Sequence, residues 1–69
     1  MSGTVARVTE VSALSPTSFD EAIKTGIQRA NETLRNVTGA WVKEMKVDVD
    51  SQGAVSGYQV HLLITFILD

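Results

Sequence analysis

The segment Ala54 to Leu68, AVSGYQVHLLITFIL, limits the possible folds more than any other part of the chain. Val60, Leu62, Ile64, Phe66 and Leu68 recur at every second position, the period of a β-strand, and so line one face completely. Val55, Leu63 and Ile67 make the opposite face substantially apolar as well. A strand that is apolar on both faces belongs in the middle of a sheet and needs cover on both sides.

The remaining residues of this 69-residue chain supply little cover. Thr4 to Ser12 alternates, with Val5, Arg7, Thr9 and Val11 on one side and Ala6, Val8 and Glu10 on the other, which predicts a strand. Ser15-Pro16 breaks it. Ser18-Phe19-Asp20-Glu21 has the form of a capping box, with the Ser18 hydroxyl placed to accept from the Glu21 N–H. The helix it opens is predicted to run to about Asn36. Ile23, Ile27, Ala30, Leu34 and Val37 would form its apolar stripe, and Gly39 would close the segment. Gly26, unfavourable inside a helix, predicts close approach to another backbone. A second strand is predicted from about Ala40 to Asp50.

This order gives an α+β fold: one β-α-β-β domain over residues 1–69, a three-stranded antiparallel sheet on one helix, with the C-terminal strand central. One helix covers one sheet face, so the other must meet a second subunit or a ligand. A chain this short also has a marginal core, and disulfides are excluded because there is no cysteine. Self-association is therefore expected. The lack of cysteine fits a reducing, cytoplasmic location.

The Asp50-Ser51-Gln52-Gly53 turn, with Asp first and Gly fourth, predicts a type I turn with a G1 bulge that pairs Asp50 with Ala54. Continued along the hairpin, this register sets Met45 opposite Gln59, Lys43 opposite His61 and Trp41 opposite Leu63. Trp41, Met45 and Gln59 would then share one face. The indole offers a wide π surface and the amide one acceptor and two donors, a set suited either to a flat heteroaromatic ligand or to a subunit interface.

Other function classes find less support. A net charge of −2 and a pI near 5.2 argue against binding nucleic acid, and no apolar run is long enough to span a bilayer. His61, the only histidine, has no carboxylate or nucleophile at a spacing that would orient it, so the chain does not read as an enzyme. Asp48-Val49-Asp50-Ser51-Gln52-Gly53 begins like a calcium loop, but Gln59 stands where such a loop needs a bidentate glutamate. Asp48 and Asp50 are left as weak cation candidates.

TEVSALSPTSFDEAI, the R-A-x-x-T-L-R-N run from Arg29 to Asn36, YQV at Tyr58 to Val60 and the closing I-T-F-I-L together resemble a dodecin over essentially the whole chain. The resemblance implies a hollow homododecamer of β-α-β-β subunits that stores or sequesters flavin, FMN or riboflavin, without turnover. Flavins would stack in pairs between tryptophans of symmetry-related subunits, with a glutamine bonding the ring; here Trp41 and Gln59 are the candidates. Counted without gaps, Gly39 holds the family's tryptophan position, and Trp41 lies two residues on, about 6.5–7 Å along the same face. The family also has members without that tryptophan, for which cation binding has been proposed. A shell that binds calcium or is purely structural is the alternative reading.

Overall fold

The computed structural model describes residues 3–68. Strand β1 (Ala6–Ser15) leads to helix α1 (Phe19–Thr33), and β2 (Val37–Val49) and β3 (Val55–Ile67) form a long hairpin. The sheet order is β1-β3-β2, with β3 antiparallel to both neighbours. The doubly apolar strand is therefore central, as its pattern requires.

Local chemistry sets the helix ends. The buried Ser15 hydroxyl oxygen accepts from the N–H groups of Thr17 (3.0 Å) and Ser18 (3.3 Å), turning the chain out of β1. Ser18 is the N-cap, accepting from the Glu21 N–H at 3.0 Å, while Asp20 and Glu21 complement the positive helix end. The helix stops earlier than predicted. Asn36, not Gly39, makes the break, with a φ of +62°, a region asparagine tolerates better than most residues. Its Nδ2 donates to the Ile67 carbonyl at 3.4 Å, and its own carbonyl accepts from the Ile67 N–H at 3.1 Å, so the break also starts β2 on β3. Val37 consequently belongs to β2.

The helix packs through small residues. Ala22, Gly26 and Ala30 are its buried positions, with Ile23, Ile27 and Leu34 flanking them, so the contact stripe is rotated from the predicted one. Beneath lie Val60, Leu62 and Ile64, wholly buried, and Ala13 of β1. A Cβ on Gly26 would stand 2.8 Å from Leu62 Cδ1 and 3.2 Å from Ala13 Cβ, so the close approach is to side chains of β3 and β1 rather than to another backbone as expected. At the helix start, Phe19 meets Tyr58 edge-on at 5.1 Å.

The helix rests on β1 and β3 and barely reaches β2. Nearly all of β2 is exposed, including Val42, Met45, Val47 and Val49. The chain extends 59 × 19 × 14 Å with a radius of gyration of 14.6 Å, against about 11 Å for a compact domain of this length. Its accessible surface is 5021 Å², against about 4,250 Å² expected for a compact monomer of this mass. Among the described residues no helix is long and apolar enough to cross a membrane.

Gly26→Val should lower unfolding stability by about 2 kcal/mol, because the added branches must displace Leu62 or lift the helix. Urea unfolding measures this. An unchanged midpoint with an unchanged slope would mean that the helix stands farther from β3 than described.

Candidate functional site

The two sheet faces differ in kind. The inner, helix-side face carries Val11, Ala13, Tyr58, Val60, Leu62 and Ile64. The outer face carries Glu10, Ser12 and Leu14 of β1 and Gln59, His61 and Leu63 of β3, cross-strand partners that share a side. The Tyr58-Gln59-Val60 motif follows from this alternation. Tyr58 and Val60 anchor the helix side, and Gln59 between them must point outward.

What β2 adds to the outer face depends on two bulges. Val37 pairs with Phe66 and Gly39 with Thr65, so Thr38 is an extra residue on β2. Counted straight from Val37, Trp41 would oppose Leu62 on the inner face. The bulge moves it opposite Leu63, on the outer face, where it is 70% exposed. Lys43 is the second extra residue, between the pairs Val42–Leu62 and Glu44–His61. It brings Glu44 and Lys46 outward beside His61 and Gln59. An irregularity at Ser56 compensates near the turn, between Asp48–Gly57 and Val49–Val55.

The predicted hairpin register therefore holds at both ends and slips by one in the middle. Trp41 does oppose Leu63, but Lys46 rather than Met45 opposes Gln59, and Glu44 rather than Lys43 opposes His61. Met45 pairs with the buried Val60, which corrects the expectation that it shares a face with Trp41 and Gln59; it lies instead at the exposed edge of the inner face. A signal for both bulges does exist in the sequence. The inner-face residues Val37, Ala40, Val42, Met45 and Val47 are spaced three, two, three and two apart, and each step of three marks a bulge.

The outer face is lined with ion pairs. Lys43 Nζ lies 3.2 Å from Glu10 Oε2, spanning β3 from one edge strand to the other, and Lys46 Nζ lies 3.6 Å from Asp48 Oδ1. His61 Nδ1 lies 3.5 Å from Glu44 Oε1. A carboxylate that sequence spacing did not place beside His61 is thus present, delivered by the Lys43 bulge. Ser12 faces His61 on its other side. Glu44, Met45, Lys46, Gln59 and His61 line a shallow depression of about 430 Å³.

The acidic turn is occupied by its own backbone. Asp50 Oδ1 accepts from the N–H groups of Gln52 (2.9 Å) and Ala54 (3.0 Å), and Gly53 takes a φ of +82° as the predicted G1 bulge demands. Asp48, paired with Gly57, leans towards Lys46 instead. Among the described residues no three His, Asp or Glu side chains converge as a metal site would require.

Fold and site together define a class: a small β-α-β-β subunit, covered by its own helix on one sheet face and exposing a tryptophan, a glutamine and ion pairs on the other. The chain belongs to the dodecin family, whose model matches residues 5–69. It is 32% identical over 62 residues to the calcium dodecin of Mycobacterium tuberculosis, covering 90% of this chain and 86% of that protein. It superimposes on the dodecin from Streptomyces coelicolor with a TM-score of 0.90 at 35% identity, covering all of this chain and 97% of the other. The match to the crystal structure of the calcium-chelating M. tuberculosis protein has a TM-score of 0.81 at 31% identity, covering 94% and 91%.

Deleting Thr38 should close the bulge and leave Trp41 opposite Leu63 on the outer face, because Val37 and Gly39 then pair with Phe66 and Thr65 as consecutive residues. Acrylamide quenching of the single tryptophan and its emission maximum should stay as in the parent protein. A fall in quenching with a shift to the blue would mean that the pairs on either side of Thr38 do not hold the register of β2.

Proposed function

We propose that this dodecin is a non-enzymatic cytoplasmic homododecamer that binds and sequesters a flavin, with Trp41 as the stacking platform and Gln59 as the hydrogen-bonding partner of the ring edge. The observation that carries this reading is the exposure of Trp41 on the face that also bears Gln59. A tryptophan kept for the core of its own subunit would not stand 70% exposed on the side away from the helix.

Trp41 opposes Leu63, four residues from Gln59, which puts the two about 13 Å apart along the strand. A ring stacked on the Trp41 of one subunit therefore meets a Gln59 supplied by another copy. Assembly and binding are coupled on this reading, and the excess surface of the isolated subunit supports assembly. Stacking on indole would quench the excited flavin and keep it from photochemistry.

A second reading has its own support in the 32% identity to a calcium dodecin. On that reading the shell binds calcium through Asp48 or Asp50, with further oxygens supplied by neighbouring copies, because within one subunit Asp50 Oδ1 is held by the turn.

Titration of the protein with riboflavin and with FMN, followed by flavin fluorescence, tests the first reading; light scattering in parallel should give a mass near twelve subunits. Trp41→Ala should abolish quenching without changing that mass, and Gln59→Ala should weaken binding by roughly tenfold, the loss of about one hydrogen bond to a neutral group. Quenching that survives Trp41→Ala would remove Trp41 from the site. For calcium, 1 mM metal should raise the thermal midpoint by several degrees if it binds the folded shell, and Asp48→Asn should cancel that shift.

A further inference from the structure

The flavin reading leaves open whether the ligand carries a phosphate, and the charges around the outer-face depression bear on that choice. Six ionisable side chains share this face: Glu10, Lys43, Glu44, Lys46, Asp48 and His61. Both lysines are already neutralised, Lys43 by Glu10 at 3.2 Å and Lys46 by Asp48 at 3.6 Å. Glu44 then has only the His61 imidazole for a partner, at 3.5 Å. Among the carboxylates and lysines of this face, three formal negative charges stand against two positive ones, an excess of one carboxylate.

We infer that the site selects an uncharged flavin such as riboflavin over a phosphorylated one. This inference rests on the flavin reading proposed above. A phosphomonoester carries about −1.5 to −2 charges at neutral pH and is held well only where cations or backbone N–H groups converge on it. Gln59 on the depression floor is uncharged, His61 already faces Glu44, and the lysine there, Lys46, is shared with Asp48. A phosphate could recruit Lys46 only in competition with that carboxylate, while facing Glu44 on the same strand. Each exposed ion pair is weak. The preference follows from the sign of the whole face, repeated in every copy that contributes to a shared site.

The ribityl hydroxyls of an uncharged flavin meet no such penalty. They can donate to the Glu44 and Asp48 carboxylates that a phosphate would be repelled by, so the acidic groups discriminate in both directions.

Parallel fluorescence titrations of the wild-type protein with riboflavin and FMN at low ionic strength decide the matter. Riboflavin should bind at least roughly fivefold more tightly than FMN, and the gap should narrow near 1 M salt, where screening shortens to about 3 Å. Asp48→Asn, an exposed change that frees Lys46, should improve FMN relative to riboflavin by about threefold or more. FMN binding as tightly as riboflavin, or an FMN preference unmoved by Asp48→Asn, would overturn the inference while leaving the flavin reading intact. Failure of both ligands to be quenched would overturn both together.

Discussion

Leu62 and Ala13 lie close against Gly26, and no side chain on the helix intervenes. With Ala22 and Ala30 on either side, the helix settles low on the sheet, and Val60, Leu62 and Ile64 lose all contact with solvent. That closeness has a cost in area. The fully or nearly fully buried apolar residues are Ala13, Ala22, Ala30, Val60, Leu62 and Ile64, half of them alanine, so little apolar surface leaves water. It also decides the sheet. Once the even-numbered residues of β3 face the helix, Gln59, His61 and Leu63 must face away, and every outer-face property follows from that parity.

How far the sequence disclosed the structure depended on which signals are carried by residue type. The centrality of β3, the Ser18 cap, the close approach at Gly26 and the Asp50–Gly53 turn each rest on a residue whose chemistry suits few other roles, and each was legible. The expected helix stripe of Ile23, Ile27, Ala30, Leu34 and Val37 does pack on the core, but it omitted Ala22 and Gly26, which with Ala30 make the deepest contact. The helix was expected to run to about Asn36 and the segment to close at Gly39; it ends at Thr33, and Asn36 takes the left-handed conformation.

The bulges account for the remaining differences. Thr38 and Lys43 are ordinary strand residues, and nothing in their chemistry announces an extra position. A turn-based register assumes an unbroken ladder and so cannot see them. Yet the bulges decide the candidate site: with Thr38 paired in a straight ladder the indole would turn to the helix side, and with Lys43 paired Glu44 and Lys46 would leave His61 and Gln59. Neither bulge falls between Gly39 and Trp41, which oppose Thr65 and Leu63, so Trp41 stands two residues beyond Gly39 on the same face, as counted from the sequence. Position along β2 translates into position on the sheet only after the bulges are subtracted.

Those bulges also sort β2 by face. Val42, Met45 and Val47 share the inner side with the core strand, yet stand beyond the reach of the helix and are exposed. Trp41, Glu44, Lys46 and Asp48 share the outer side. An apolar stripe with no charge suits permanent burial between copies, where shape and area dominate. A face that combines one aromatic, one amide and opposed charges suits a ligand that must be both held and released, since each polar contact can be exchanged for water. A straight β2 would have mixed the two sets and made neither surface. The irregular ladder is therefore what gives one exposed edge strand an uncharged apolar side and a polar side that carries the tryptophan.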